Sequence, residues 1–259
     1  MAPAKVNVAV LGPVVVDGAA RPFHRAAALE LVVYLALHRG IVTSAEWPAA
    51  IWPDRDVSLA TVHSTTSDAR KALGRAADGS EHLPREGSQL RLGRSVSTDV
   101  ERFESLVIEG DPGRMVEAMK LIRGPLFGGL CRADWAVLDG TQSAVESLVV
   151  DAALRGAEAL LSLGQTAQAE WIVRRALVVS PYDERLYRAL LRAIAAQGNR
   201  LALHVTMARL LTLASDVGGW SETGGRPEKS LTCLHPQTAD LYRDLLRASP
   251  ATSETPVRL

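Results

Sequence analysis

The sequence predicts two domains, an α+β domain over residues 1–98 and an all-α domain of helical repeats over residues 99–248. Short β-branched runs stand in the first hundred residues, whereas helical segments rich in Ala, Leu and Arg fill the rest. Gly164 and Gly198 lie 34 residues apart, which is the period of the tetratricopeptide repeat. Residues 249–259 form a Ser-, Thr- and Pro-containing tail that we expect to be disordered.

The first domain is predicted to begin with two strands and two helices. Val6–Leu11 and Val14–Asp17 are β-branched runs separated by a Gly-Pro turn signal. The apolar run Arg25–His38 predicts a largely buried helix. A short helix through Ile51 follows, and Ser44 is predicted to be its cap.

The stretch Ser58–Gly74 predicts a third helix, because Ser58 suits the N-cap and Gly74 suits the position after the last turn. Its apolar residues recur at helical spacing and form one buried stripe: Val62, Thr66, Ala69 and Leu73. The opposite face is small and polar: Ala60, Ser64, Ser67, Asp68 and Lys71.

A β-hairpin is predicted after the third helix, since His82–Arg85 and Gln89–Leu92 flank the turn-forming sequence Glu-Gly-Ser. Pro84 suits an edge strand. Strands, three helices and a hairpin, in that order, are the layout of a winged helix, in which the third helix is the element that reads DNA.

The second domain carries small residues at the spacing that lets paired helices approach closely. Ala169, Ala176 and Pro181 follow the first of the two glycines at the offsets of a tetratricopeptide unit. A polar loop over Gly218–Lys229 and a last helix over Gln237–Arg247 complete the predicted domain.

Composition narrows the class of function. The 29 Lys and Arg residues balance 29 Asp and Glu residues, so any DNA binding must depend on a few locally placed cations. The six histidines have no metal-site spacing, and no catalytic or nucleotide-binding motif is present. We therefore expect no enzymatic activity, no metal and no cofactor.

Aromatic and sulfur-containing side chains are expected in the core. The four candidate core tryptophans are Trp47, Trp52, Trp135 and Trp171. Cys131 and Cys233 lie far apart in the sequence and are predicted to be buried, reduced thiols of a cytoplasmic protein. No apolar run is long enough to cross a bilayer, although the chain could be the cytosolic piece of a larger membrane protein.

Several motifs in this order resemble the bacterial transcriptional activator domain proteins, a group that includes the actinobacterial antibiotic regulatory proteins (the SARP family). The motifs are LGPVVVDG (11–18), AAIWPD (49–54), DARKALG (68–74), STDVERFE (97–104), LIRGPLFGGL (121–130), DW (134–135) and LHPQTADLYRDLL (234–246). The resemblance implies a winged helix followed by tetratricopeptide-like helices. It also implies dimeric DNA binding to direct repeats, with the helical domain contacting RNA polymerase or another protein.

One residue departs from the family pattern. Family members end the third helix with a run resembling SRLRRALG, whereas this chain has SDARKALG, with Asp68 in place of an arginine. A carboxylate on a groove-facing stripe repels phosphates, which weakens the prediction of DNA binding. The candidate DNA-binding residues are His63, Ser64, Ser67, Arg70, Lys71, Arg85 and Arg91, and the alternative for all of them is a solvated surface.

A rival function is a signalling or scaffold module that no longer binds DNA and instead holds a protein segment or an anionic ligand, such as a nucleotide second messenger. Its candidate ligand-binding residues are Arg174, Arg185, Arg188 and Arg192. The alternative is a solvated face on which these arginines pair with Glu170, Asp183 and Glu184.

Overall fold

The computed structural model describes residues 5–38, 40–85, 87–217 and 231–248. The predicted loop over Gly218–Lys229 and the predicted tail over residues 249–259 lie outside these ranges. The chain divides into two compact units, Met1–Gly110 with Lys120–Leu148, and Asp111–Met119 with Val149–Leu259. Residues 99–110 and 120–148, which the sequence assigns to the second domain, therefore group with the first unit.

Two small sheets organise the first unit. Strands β1 (Val6–Ala9), β2 (Val15–Asp17) and β5 (Val96–Thr98) form a sheet in the order β2-β1-β5. Strand β1 runs antiparallel to β2, as the sequence predicts, and parallel to β5. The second sheet pairs β3 (Val42–Thr43) with β4 (Gln89–Leu90) in antiparallel register.

The predicted hairpin partner of β4 is wrong. Leu90 pairs with Val42, between the first two helices, and no residue of the described segment 82–85 lies in a strand. Pro84 has no N–H to give to a ladder. Leu83 is instead completely buried, so this segment is held by packing and by side-chain contacts from the third helix.

Six of the described helices come before the helical repeats in the sequence: α1 (Ala26–Leu37), α2 (Glu46–Ile51), α3 (Leu59–Leu73), α4 (Asp99–Ile108), α5 (Pro112–Lys120) and α6 (Asp134–Leu138). Ser44 does not cap α2, whose N-cap residue is Ala45 and has no side-chain cap, and Thr43 and Glu46 instead exchange hydrogen bonds. The Thr43 hydroxyl accepts a hydrogen bond from the Glu46 amide, and the Glu46 carboxylate accepts one from the Thr43 amide. Ser58 caps α3 as predicted.

The core of the first unit contains the expected tryptophans. Trp47, Trp52 and Trp135 are buried, which confirms three of the four predictions. Trp171 is 38% exposed, so its assignment to the core is wrong.

Both cysteines are exposed, which corrects their predicted burial. Cys131 lies in the loop before α6 and Cys233 ends a short 3-10 helix, Leu231–Cys233, and hydropathy alone does not reveal their exposure.

A buried carboxylate joins the start of α4 to the residues that follow β1. Asp99, at the start of α4, accepts hydrogen bonds from the Val10 amide at 2.8 and 2.9 Å and from the Leu11 amide at 2.9 Å. The Arg123 guanidinium lies 3.5 Å from the same group. Burial raises the pKa of the Asp99 carboxyl, while the two amides and Arg123 oppose that shift.

Paired helices build the second unit and the segment that leads into it: α7 (Thr141–Ser162), α8 (Thr166–Val179), α9 (Glu184–Ala196), α10 (Arg200–Val217) and α11 (Pro236–Ala248). Gly164 and Gly198 have the same left-handed φ of 71° in the turns after α7 and α9, so the 34-residue period is a structural repeat. Ala169 and Ala176 are completely buried, as predicted for close helix contact.

Replacing Asp99 with Ala leaves the Val10 and Leu11 amides buried without an acceptor. We expect the free energy of unfolding to fall by about 2–4 kcal/mol, measured by urea denaturation with circular dichroism. Asp56→Ala removes an exposed carboxylate from the loop before α3 and should change stability by less than about 0.5 kcal/mol. Equal denaturation midpoints for the two variants would contradict the role assigned to Asp99.

Candidate nucleic-acid interface

Helix α3 has the buried and outward faces that its sequence predicts. Val62, Thr66, Ala69 and Leu73 are buried, and Thr65 and Ala72 widen the covered side. On the outward side, His63 and Lys71 are exposed, whereas Ser64 and Ser67 are half-buried. The helix is therefore anchored by one side and offers a narrow, mostly small-residue surface.

The segment before α1 runs beside α3 and adds cations to that surface. The Arg21 amide donates to the Ala72 carbonyl near the end of α3, at 3.1 Å. The Arg25 guanidinium donates to the Ser64 hydroxyl in the middle of α3, at 2.8 Å. Arg21, His24 and Arg25 are all exposed.

Sequence reasoning missed these cations. The signal available was the run RPFHR over residues 21–25, which places three basic or titratable side chains directly before α1. Only the packing of this segment against α3 assigns it to the candidate interface. Gly74 permits that packing, since a Cβ at this position would lie 2.6 Å from the Ala20 Cβ.

Arg70 is committed to contacts inside the protein. Its Nε donates to the Leu83 carbonyl at 3.0 Å, and its Nη2 lies 3.5 Å from the Pro84 carbonyl. Burial lowers the pKa of Arg70, and the neighbouring Arg85 guanidinium lowers it further. The structure thus brings Arg70 and Arg85 together, with Arg70 bracing the segment after α3 and Arg85 exposed.

Arg91 lies elsewhere. It lines a cavity of about 460 Å³ together with Arg94, and with Leu35 and His38 from the carboxyl end of α1. The lining residues of this cavity include none from α3. Of the predicted DNA-binding residues, Arg91 is therefore the one that the geometry separates from the surface of α3.

Asp68 does not lie fully outward, as its position opposite the buried stripe had predicted. The residue is half-buried, and its Oδ2 atom is covered and has no hydrogen-bond partner among the described residues. The reason is that α3 is covered over a wider arc than the four-residue stripe, with Thr65 and Ala72 also buried. The negative charge consequently stands at the edge of the exposed surface and beside the exposed Lys71.

A family model for the bacterial transcriptional activator domain matches residues 98–218. Residues 98–218 are thus similar to this domain, and this segment is called the activator domain. Among solved structures, Mycobacterium tuberculosis EmbR in complex with a low-affinity phosphopeptide has a similar fold, with a TM-score of 0.62 and 21% identity. The match covers 95% of this chain and 66% of the EmbR chain. No curated protein sequence matches.

These findings confirm the predicted architecture of a winged helix followed by tetratricopeptide-like helices. Residues 98–218 are similar to the bacterial transcriptional activator domain, and the fold is similar to that of EmbR. Among the described helices, none combines the length and the apolar character needed to span a membrane. Within the same ranges, no group of His, Cys, Asp and Glu side chains is arranged to hold a metal ion.

The arginines of the activator domain do not form one cluster. Arg174 pairs with Glu170 at 2.7 Å, and Arg185 pairs with Asp183 at 2.7 Å. Arg188 donates to the Thr238 hydroxyl on α11, and Arg192 lines a cavity with Leu154 and Glu158 from α7. Two of the expected carboxylate partners are present, while Glu184 accepts the His235 amide instead. The prediction of an anion site on these four residues stays a prediction.

His82 ties the end of α3 to the strand that closes the first sheet. Its ring Nδ1 lies 2.7 Å from the Ser95 hydroxyl, its amide donates to the Gly74 carbonyl, and its carbonyl accepts the Gly93 amide. The residue is 1% exposed, and burial lowers the pKa of its imidazole against the opposing effect of Asp78. The neutral ring is therefore the form that the folded protein accommodates.

This burial predicts acid sensitivity. Because the pKa of His82 is lower in the folded than in the unfolded chain, its stabilising effect is fully present above the unfolded value of about 6.5 and is lost as pH falls below it. We expect acidification to about pH 5.5 to lower the Tm less in His82→Gln than in the parent. His63→Gln, at an exposed position, should keep the pH dependence of the parent. Parallel Tm curves for His82→Gln and the parent would contradict this prediction.

Proposed function

We propose that this chain is a cytoplasmic transcriptional regulator that binds DNA through α3 and has no catalytic role. Helix α3 would lie in the major groove, and the segment after it would follow the sugar-phosphate backbone. The observation that supports this function is the row of exposed cations along α3. Arg21, Arg25 and Lys71 stand on that row, and Arg85 stands beside Arg70.

The side chains divide into two roles. Arg21, Arg25, Lys71 and Arg85 are placed to contact phosphates, which position a protein on DNA without reading sequence. His63, Ser64 and Ser67 are left to meet base edges, because they carry the donors and acceptors of the outward face. The Arg25–Ser64 hydrogen bond in the free protein would be exchanged for a phosphate contact.

Neutral overall charge sets the expected strength of this binding. With 29 basic and 29 acidic residues, long-range attraction to DNA is weak, and affinity must come from the local cations. About three or four phosphate contacts give a slope of about −3 in a plot of log K against log salt concentration. Binding should therefore be easily measured at low salt and should weaken steadily as salt rises.

The activator domain would supply self-association on direct repeats and contact with RNA polymerase or another protein. Pairing of Arg174 and Arg185 with carboxylates gives the rival anion-binding module no specific support in this structure. The argument for the rival function is Asp68, whose negative charge disfavours DNA binding. A measurement of DNA binding therefore distinguishes the two functions.

Fluorescence anisotropy against genomic fragments at low salt tests the proposal. We expect fragments that bind with Kd below about 10 µM, where even non-specific contacts are measurable. Arg25→Ala and Lys71→Ala should each weaken binding to all fragments alike and make the salt slope shallower by about 1. Arg102→Ala, exposed on α4, is the matched control and should change neither quantity. If no fragment binds in this range, the DNA-binding function is rejected.

Asp68 offers a test in the opposite direction. Asp68→Arg adds a cation beside Lys71, so DNA affinity should rise and the salt slope should steepen by about 1. Asp68→Asn removes the charge with little change of shape, and it should strengthen binding by a smaller factor. The same anisotropy titration measures both variants. Unchanged affinity and slope in both would mean that this face of α3 does not meet DNA.

A further inference from the structure

A groove on the activator domain is lined by both apolar side chains and arginines. It lies between α8 and α10, has α9 as its floor, and holds a cavity of about 340 Å³. The lining residues are Arg174, Leu177, Val178, Pro181, Tyr187, Leu190, Ala202, Val205, Thr206 and Arg209. No carboxylate is among them. Arg174 is paired with Glu170 at 2.7 Å, whereas Arg209 lines the groove from an exposed position.

Apolar side chains remain exposed along both walls. On α8, Trp171 and Val178 are 38% and 37% exposed and lie two turns apart on one stripe. On α10, Leu201 and Val205 are 74% and 62% exposed and lie one turn apart. Of these four, Val178 and Val205 line the groove, so they are available to a molecule that enters it.

The helical repeat places the same pair of residue types on α8 and on α10. Trp171 is followed four residues later by Arg175, and the equivalent positions one 34-residue period on are Val205 and Arg209. The Arg175 guanidinium lies 5.8 Å from the Trp171 ring centroid. Of these four residues, Val205 and Arg209 line the groove, whereas Trp171 and Arg175 are not among its lining residues.

Arg209 also faces the floor of the groove. The Tyr187 side chain is 2% exposed, and burial raises the pKa of its phenol while the Arg209 guanidinium lowers it. Arg209 is exposed itself, so it can meet an incoming carboxylate without first being uncovered.

We propose that this groove binds an acidic amphipathic helix from a partner protein. Apolar side chains of that helix would cover Val178 and Val205, and its carboxylates would face Arg209, with Arg174 available by exchange of its pairing with Glu170. This matches a common mode of peptide recognition in which a helix places its apolar side in a groove. The inference goes beyond DNA binding and does not depend on it.

Two other occupants fit the surface less well. A small anion would meet Arg209 but would not match the exposed apolar side chains of Val178 and Val205 that line the groove. A second copy of the chain, related by a two-fold axis, would bring the same arginines against each other, which is electrostatically unfavourable.

Selection of helical peptides displayed on phage, with random 16-residue sequences and the whole chain as bait, tests the proposal. We expect the enriched peptides to be acidic and to carry apolar residues at helical spacing. A fluorescein-labelled enriched peptide should bind Val205→Asp and Arg209→Glu at least tenfold more weakly than the parent. Both positions are exposed, and unchanged circular dichroism melting will show that the variants fold.

Arg192→Glu, at an exposed position of α9 outside the groove, is the matched control and should bind the peptide like the parent. DNA affinity of all three variants, measured in parallel, keeps failure of this proposal distinct from failure of the DNA-binding function. Enrichment of basic peptides, absence of enrichment, or equal binding to parent and groove variants would overturn the proposal. So would a change from dimer to monomer on Val205→Asp in analytical ultracentrifugation, because the groove would then be covered by a second copy.

Discussion

The first unit depends on the buried carboxylate of Asp99. Its two oxygens accept the amides of Val10 and Leu11, residues 88 and 89 positions earlier in the chain, just where β1 ends. The parallel pairing of Val6 with Val96 closes the same loop a few residues away. In sequence, all elements from β2 to β4, including α3, lie between the residues that make these contacts. These closures fix the two ends of the segment that contains the candidate DNA-binding helix.

Within that frame, α3 is held on two sides by polar contacts. Arg70 donates to the backbone of the segment after the helix, and the Arg21 amide donates to the Ala72 carbonyl from the segment before it. Such contacts hold a helix whose outward face is too small and polar to be fixed by packing. The two neighbouring cations consequently have different roles. Arg70 hydrogen-bonds inside the protein, whereas Lys71 remains exposed to solvent.

Local signals were enough to predict α3, since the spacing of Val62 and Ala69 and the caps at Ser58 and Gly74 act within a few turns. The partner of β4 was not predictable in the same way, because it lies more than forty residues earlier in sequence. The cations before α1 join the candidate site only through tertiary packing, which no single-sequence period reveals. Trp171 was misassigned for a related reason: helical repeats expose aromatic residues where a partner can cover them.

A chain of zero net charge can still have two surfaces suited to anionic partners, because screening limits each charge to its neighbourhood. At about 0.15 M salt the Debye length is about 8 Å, so a phosphate beside Lys71 is affected mainly by the cations along α3. In the groove of the activator domain, Arg209 stands against apolar side chains, where a bound peptide would exclude water and lower the effective dielectric constant. Each guanidinium there would contribute more to binding than an exposed lysine on α3. The placement of a few cations, not their total, therefore decides which anionic partners this chain can bind.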